Sequence, residues 1–257
     1  LLTLQEGDSE WDIWLRTFII RPIYKQIYRR ADYIQAISNF LAARAKKLGA
    51  KCPIEVVRNG IDEEILIDGT RFVIKKEKNI YKKKIVITTS RLVKKNGIAY
   101  LIKAMKEVNG KLVILGDGVL RKRLERLAIK ENIGHKVDFL GQVENKDVLN
   151  YLIEADVFVR PSLSEGLGNS FLEAMSVGIP VIGTKVGGIT DFLQDGATGW
   201  FCEVKNPKSI AEKINYVLDK KNKTEVERVV ENAYKIANDK YNWGKIAEKM
   251  GEIFQNL

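Results

Sequence analysis

Apolar runs alternate with stretches of helical periodicity from Lys84 onward, and this alternation restricts the fold more than any other feature. The apolar runs lie at residues 84–90, 111–116, 136–141, 156–162 and 179–184, and the helical stretches between them at 97–108, 119–132, 146–155 and 169–177. Short strands that alternate with helices of this kind predict βαβ units and a parallel sheet. Since ligands of such sheets bind outside the carboxyl ends of the strands, functional residues are expected in the strand-to-helix loops.

The first 60 residues predict a second, smaller α/β unit. The segments LLTLQ, ADYIQAIS and IEVV predict strands, apolar residues recur at helical spacing from Glu10 to Arg30, and Ser38 or Asn39 can cap a further helix. The polar, basic stretch 68–84 predicts a linker, so we place a domain boundary near Gly60. The expected units are residues 1–60, residues 61–240, and a C-terminal helix within 241–257 that packs back toward the first unit.

Composition narrows the classes of protein. The net charge is +10, which favours an anionic partner or, equally, a lysine-rich solvated surface. Two cysteines without CxxC spacing argue against a disulfide framework and a cysteine zinc site, and they favour a reducing, cytoplasmic compartment. A single histidine leaves little material for a histidine metal site or a Ser-His-Asp triad. There is no apolar run of about 18 residues, the length needed to span a bilayer.

The most informative segment runs from Pro161 into the helix predicted at 169–177. It leaves a strand, passes through a glycine-containing polar loop and enters a helix, where free N–H groups and the helix dipole favour a phosphate. Glu165 and Glu173 are eight residues apart across this loop, and a carboxylate accepts hydrogen bonds from pairs of hydroxyl groups. The combination favours a site for a phosphate flanked by sugar or ribose hydroxyls over solvated glutamates beside a capped helix.

The spacing Glu165 to Glu173 resembles the E-x7-E motif of the retaining GT-B glycosyltransferases of glycosyltransferase family four. The segments ADYIQAIS, RNGID, SRLVKKNG, VILGDG, DFLGQV, SEGLGNSFLEAM and GGITDFLQDGATGW follow the family's order and spacing over nearly the whole chain. The resemblance implies a GT-B fold of Rossmann-like parallel sheets flanked by helices. It further implies a complete C-terminal domain that binds a nucleotide sugar and, in residues 1–60, only part of the N-terminal, acceptor-side domain.

Roles for individual residues follow from the resemblance. Glu165 would hold hydroxyls of the donor sugar and help to stabilise positive charge at the anomeric carbon, and Glu173 would hold the ribose. Arg91 would grip the diphosphate, an assignment that its place after the strand KIVITTS and its forked guanidinium also favour. Val143 lies where the family's backbone contacts the base. Sugar and phosphate would contact the backbone of Gly166, Leu167, Gly168, Asn169 and Ser170.

The sequence departs from the family in three places. Asn96 stands where relatives carry a lysine before the glycine, so we assign the second phosphate contact to Lys95. Gln5 stands where many relatives carry a histidine near the reacting sugar, and glutamine can hydrogen-bond but cannot take up a proton. His135 lies between a helix and a strand, away from the ligand loops, and is interpreted as a surface residue. The chain also begins within a strand, which we interpret as an incomplete N-terminal domain.

Together these features predict a retaining glycosyltransferase that moves a sugar from a nucleotide-diphosphate sugar to a hydroxyl acceptor. Without a DxD sequence no metal and no other cofactor is expected. A non-catalytic nucleotide-sugar-binding module, which needs a partner for the acceptor site, is the alternative.

The helix from Glu10 to Arg30 carries both basic and apolar residues. Such a composition is typical either of a core helix whose basic residues face solvent or of a helix that makes a peripheral contact with the inner face of a membrane. A saccharide or lipid-linked acceptor is expected, and nucleic acid is not, since no nucleic-acid-binding module is present.

Overall fold

Two parallel β-sheets organise the chain in the computed structural model, which describes residues 1–61 and 84–255. The predicted linker 68–84 lies, except for Lys84, outside the described residues. Parallel sheets flanked by helices confirm the expected α/β fold class.

The smaller sheet is built from the first part of the chain. Its strands are β1 (Leu2–Leu4), β2 (Ile34–Ala36) and β3 (Ile54–Val56), in the order β1-β2-β3 and all parallel. Two helices, α1 (Glu10–Thr17) and α2 (Arg21–Arg29), connect β1 to β2, and α3 (Asn39–Lys47) connects β2 to β3. The hydroxyl of Ser38 caps α3, as the sequence predicts.

The single helix expected from Glu10 to Arg30 is wrong, because the structure has two helices with a break at residues 18–20. Pro22 lies in the first turn of α2. Proline has no N–H and its ring clashes with the carbonyl four residues earlier, so it is tolerated at a helix start and interrupts a continuous helix. Helical periodicity on both sides of this break hides it in the sequence.

The larger sheet has six parallel strands in the order β6-β5-β4-β7-β8-β9. The strands are β4 (Lys84–Thr89), β5 (Gly110–Leu115), β6 (Val137–Gly141), β7 (Val157–Arg160), β8 (Val181–Thr184) and β9 (Trp200–Cys202). The intervening helices are α4 (Ile98–Ala104), α5 (Arg121–Lys130), α6 (Asn145–Glu154) and α7 (Asn169–Ser176), and the chain ends with α8 (Pro207–Leu218), α9 (Lys223–Lys240) and α10 (Trp243–Gln255). From β4 the order grows in one direction through β5 and in the other through β7, so β4 and β7 flank the topological switch point.

Hydrophobic residues cover both faces of this sheet. Neighbouring residues of β4 belong to different clusters, Val86 to one and Ile87 to the other, because successive strand side chains point to opposite faces. The second cluster extends to Leu41 of α3 and to Tyr241, and it thereby joins the two sheets.

The last helix, α10, contacts the smaller unit. Its residues Ile246 and Ile253 are buried together with Val57, which directly follows β3. The Nζ atom of Lys249 also lies 2.9 Å from a carboxylate oxygen of Glu55. These contacts describe where α10 lies, while the division of the chain into domains stays a prediction.

Candidate active site

The carboxyl ends of β4 and β7 lie side by side and open the crevice where a sheet of this topology binds ligands. The two strands pair in parallel, Val86 with Val157 and Ile87 with Phe158. The loop after β4 carries Arg91, and the loop after β7 leads to α7. The order of the strands therefore brings together two loops that are about 70 residues apart in the sequence, and both lie at the carboxyl edge of the sheet where the sequence predicts functional residues.

The loop between β7 and α7 ends at Gly168, whose φ of 96° is in the left-handed region that suits glycine. No side chain caps α7, so the first N–H groups of this helix have no partner from a capping side chain. Ser170 is buried and Asn169 partly exposed. Leu167 is 1% exposed and its side chain belongs to the second core cluster, so only its backbone can serve a ligand.

Glu165 is held by an arginine that sequence reasoning missed. An Nη atom of Arg160, the last residue of β7, donates to one carboxylate oxygen of Glu165. The other Nη atom donates to the hydroxyl oxygen of Ser170 at 2.6 Å. The amide of Gly166 donates to the second carboxylate oxygen of Glu165 at 3.2 Å. Arg160 follows the rule that functional residues lie at the carboxyl ends of strands, and this rule could have found it.

Glu173 lies inside α7 and is partly buried. Burial raises the pKa of its carboxyl group above the usual range, and the positive charge of Arg160 opposes this shift. Since Arg160 acts electrostatically on Glu173 and hydrogen-bonds Glu165, the two glutamates that the sequence predicts share one cationic neighbour.

The loop after β4 supplies two further cations. Lys95 is partly buried and its Nζ atom lies 2.7 Å from a carboxylate oxygen of Asp8. Burial lowers the pKa of Lys95, the negative charge of Glu165 raises it, and the positive charge of Arg91 lowers it. Arg91 is exposed, and among the described residues its guanidinium makes no hydrogen bond or ion pair.

Asn96 has a structural place in this loop. It is 3% exposed, and its side-chain amide donates to the carbonyl of Arg91 at 2.6 Å. The next residue, Gly97, has a φ of 69°, and a side chain there would overlap the carbonyl oxygen of Pro161. The two crevice loops are therefore in direct contact, and the side chain of Asn96 is turned inward.

The segment that follows β1 lies against the β7–α7 loop. The hydroxyl of Ser164 donates to the carbonyl of Gly7 at 2.7 Å, and a side chain at Gly7 would overlap the amide nitrogen of Gly166. Gln5 is exposed, and its backbone carbonyl oxygen is 3.0 Å from the position of a Cβ atom on Gly166. The backbone of Gln5 therefore lies beside Gly166, although the two residues are some 160 positions apart in the sequence.

Two of the sequence-predicted features lie on the other side of β4. Val143 follows the edge strand β6, is partly buried and packs against the second core cluster. The turn Gly116–Gly118 follows β5, and its Asp117 accepts a hydrogen bond from Arg121 at 2.9 Å. Arg121 is thereby engaged within the protein. His135 is exposed in a short turn that precedes β6, in agreement with its interpretation as a surface residue.

The helices α1 and α2 expose an apolar surface. α1 has no buried residue and α2 buries only Tyr28. The exposed fraction reaches 67% for Trp11 and 91% for Ile19. The apolar side chains of this surface are Trp11, Leu15, Phe18, Ile19, Ile20, Ile23 and Ile27. Within residues 1–61 and 84–255 these side chains are not packed into a core, which disagrees with the interpretation of residues 10–30 as a core helix.

None of the helices in residues 1–61 and 84–255 is both long and apolar enough to cross a membrane. In the same part of the chain no group of three or more His, Cys, Asp or Glu side chains has an arrangement that could hold a metal ion.

The sequence of this chain is similar to those of known glycosyltransferases. Residues 70–236 match the family described as glycosyl transferases group 1. The chain is 39% identical over 177 residues to an uncharacterized glycosyltransferase of Methanocaldococcus jannaschii, which covers 67% of this chain and 45% of that protein. It is 33% identical over 189 residues to N-acetyl-alpha-D-glucosaminyl L-malate synthase of Bacillus anthracis, covering 71% and 49%. The chain thus spans about half the length of these relatives.

The fold agrees with solved structures. The crystal structure of Anabaena HepE in complex with UDP and glucose superimposes with a TM-score of 0.86 at 20% identity, covering 100% of this chain and 71% of that chain. Such a likeness concerns the fold and confirms the expected GT-B type. Since the family match extends over well over half of the sequence and includes both crevice loops, the chain belongs to the family of glycosyl transferases group 1.

Proposed function

We propose that this chain binds a nucleotide-diphosphate sugar in the crevice between β4 and β7 and serves its transfer to a hydroxyl acceptor. One observation carries the proposal. The two loops at the switch point of the sheet are in contact: the loop after β4 carries the cations Arg91 and Lys95, and the loop after β7 leads through Glu165 to the uncapped start of α7, which carries Glu173. Lys95 lies in the electrostatic field of both Arg91 and Glu165. Cations and free N–H groups suit a diphosphate, and carboxylates suit the hydroxyl pairs on either side of it.

In this placement the diphosphate lies at the start of α7, with Arg91 and Lys95 beside it. The sugar lies toward Glu165 and the ribose toward Glu173. Backbone groups of residues 166–170 complete the contacts. The base lies toward Val143, which is on the β6 side of the crevice.

We propose that transfer retains the anomeric configuration, as in glycosyltransferase family four. Glu165 would stabilise positive charge at the anomeric carbon while the bond to the leaving diphosphate breaks. The acceptor hydroxyl would attack from the same face, and its proton would pass to the departing diphosphate oxygen. Gln5, whose backbone lies beside Gly166, would orient the sugar or hydrogen-bond that oxygen, since its amide cannot take up a proton.

We propose further that no metal ion is needed. Arg91, Lys95 and the helix start would neutralise the charge that develops on the diphosphate, as preorganised cations and dipoles do in other phosphate-leaving reactions. The measurement that checks this is transfer or binding with and without magnesium.

An enzyme is favoured over a non-catalytic binding module because the relatives reported above are named as glycosyltransferases or as a synthase. The acceptor, a saccharide or a lipid-linked sugar, would reach the donor from the side of Gln5 and α1. The exposed apolar surface of α1 and α2, interspersed with Arg21, Lys25 and Arg29, supports a peripheral contact with an anionic membrane face in the cytoplasm. Sedimentation with anionic and with neutral vesicles tests this contact, and equal absence from both pellets contradicts it.

The experiment that tests the donor site is calorimetric titration with UDP, GDP, ADP and their common sugar conjugates, first without metal and then with magnesium. We expect saturable binding of one nucleotide series, lost in Glu173→Ala and Arg91→Ala. Arg126 lies on the surface of α5, where its Nε atom donates to the carbonyl of Lys122 in the same helix, so Arg126→Ala is the matched control that retains binding. Absence of binding to every nucleotide, with the chain folded, refutes the proposal.

A further inference from the structure

We propose that Arg160 is a positioning residue that sets the sugar contact of Glu165 and the phosphate contact of Ser170 together. The inference rests on the proposed function, because both contacts belong to the donor site. It starts from the two hydrogen bonds that one guanidinium makes, to a carboxylate on one side and to a hydroxyl on the other.

Arg160 is placed to act through its neighbours. Its side chain is 11% exposed, and both of its Nη atoms are engaged by Glu165 and Ser170. Its Nε atom is buried without a hydrogen-bond partner among the described residues. Two of the five N–H donors of this guanidinium are thus committed to Glu165 and Ser170, and the side chain is largely buried, so it acts on a ligand through the two side chains that it holds.

The bond to Glu165 determines which lone pairs remain for the sugar. One carboxylate oxygen accepts from Arg160, and the other accepts from the amide of Gly166 at 3.2 Å. An ionised carboxylate offers about four acceptor positions. Two are thus occupied by the protein, and the remaining two have a set direction for a pair of sugar hydroxyls. Without Arg160 the carboxylate could turn about its last bond, and this pair would lose its geometry.

The hydrogen bond from Arg160 to Ser170 determines the direction of the Ser170 hydroxyl proton. The hydroxyl oxygen accepts from Arg160 at 2.6 Å, so its own O–H must donate elsewhere. Ser170 is the second residue of α7, at the helix start where the phosphate is placed. A phosphate oxygen is an acceptor, so Arg160 leaves the Ser170 proton available for it. One guanidinium thereby correlates the sugar end and the phosphate end of the donor.

A lysine cannot reproduce this arrangement. Its ammonium group retains the positive charge but is a single point, whereas the planar guanidinium bridges two partners at a set angle. Arg160→Lys therefore separates charge from geometry, and it keeps a cation beside the partly buried carboxylates. This makes it the variant least prone to unfold.

The experiment measures the sugar increment, defined as the affinity for a nucleotide sugar divided by the affinity for the corresponding nucleoside diphosphate. Probes are UDP with UDP-glucose, GDP with GDP-mannose and ADP with ADP-glucose, titrated into the whole chain. We expect the increment to fall about tenfold in Arg160→Lys, the loss of one charge-assisted hydrogen bond. Arg126→Lys, on the surface of α5, should leave it unchanged.

A double-mutant cycle with Glu165→Gln shows through which residue Arg160 acts. If Arg160 works through Glu165, Arg160→Lys lowers the increment in the parent chain and has no further effect in Glu165→Gln. Equal effects in both backgrounds overturn the proposal, and so does an unchanged increment in Arg160→Lys. A parent chain that binds no nucleotide sugar at all refutes the proposed function itself, and the positioning role with it. Ser170→Ala, which removes only the hydroxyl, should weaken binding of nucleoside diphosphate and sugar conjugate alike.

Discussion

Replacing Arg91 with alanine should separate ligand binding from stability more cleanly than any other change in the crevice. Its guanidinium is exposed and makes no hydrogen bond or ion pair within residues 1–61 and 84–255. The bond from Asn96 goes to the backbone carbonyl of Arg91, which alanine retains. The free energy of unfolding should therefore change by less than about 0.5 kcal/mol, as for other surface substitutions.

The effect on the ligand follows from the charge of the diphosphate. A hydrogen bond to a charged group contributes about 1.5–3 kcal/mol, so nucleotide affinity should fall by about 10- to 150-fold. The loss for transfer should be larger, about 2–4 kcal/mol, because negative charge grows on the diphosphate as the sugar leaves. At about 1.36 kcal/mol per factor of ten, kcat/KM falls by roughly 30- to 900-fold.

Calorimetric titration and urea unfolding of Arg91→Ala, Arg91→Lys and Arg126→Ala together measure this separation. Arg91→Lys should bind with intermediate affinity, since lysine keeps the charge and loses the fork. Arg126→Ala should match the parent in both assays. An Arg91→Ala protein that binds nucleotide within twofold of the parent refutes the phosphate assignment. One that unfolds at a much lower urea concentration shows that Arg91 has a structural role absent from the described contacts.

Three further predictions concern stability and its dependence on pH. Burial raises the folded-state pKa of Glu173, so the folded protein binds this proton more tightly than the unfolded chain does. Stability is therefore highest below the unfolded pKa of about 4.3 and falls as the pH rises from there through the raised folded pKa. Glu173→Gln should raise the free energy of unfolding at pH 7 and flatten its decline with pH in urea titrations. Phe171 is 0% exposed and its ring lies 5.1 Å from that of Phe158, so Phe171→Ala should cost about 3–5 kcal/mol in the same assay, and a loss below about 1 kcal/mol would mean that the second cluster repacks. A side chain at Gly188 would overlap the carbonyl oxygen of Gly166, whereas one at Gly251 in α10 meets nothing within 4 Å; Gly188→Ala should therefore lower the melting temperature, and Gly251→Ala should raise the stability by about 0.5–1 kcal/mol.

The sequence predicts the larger unit well because each of its elements carries its own local signal. Every apolar run from Lys84 to Thr184 contains a strand, and the helices between them lie within two residues of their predicted starts and four of their predicted ends. A parallel sheet must place the carboxyl ends of these strands at one edge. The location of Arg91 and Glu165 at this same edge therefore follows from the pattern. Less visible is the interruption at residues 18–20, where periodic apolar residues continue across a helix break.

The pattern does not contain the specific contacts between side chains, whether near or distant in the sequence. Arg160 reaches Glu165 and Ser170 only because the loop folds back over the end of β7, and no periodicity encodes that path. Asp8 likewise meets Lys95 only because the segment after β1 crosses to the other unit, where Gly7 allows contact with Gly166. A glycine shows where such a close approach is possible, but it does not determine which residue makes the contact.

Local geometry explains why an asparagine suits position 96, where the family resemblance implies a lysine. A lysine there would have to bury its ammonium group, since the site is 3% exposed and faces the carbonyl of Arg91. An asparagine satisfies that carbonyl without a charge, and the predicted phosphate contact passes to Lys95, which lies in the electrostatic field of Glu165. In the described chain Asp8 neutralises Lys95 at 2.7 Å. If the proposed diphosphate contact of Lys95 is right, the diphosphate would share this ammonium with Asp8, and donor binding would be coupled through one ion pair to the segment that carries Gln5.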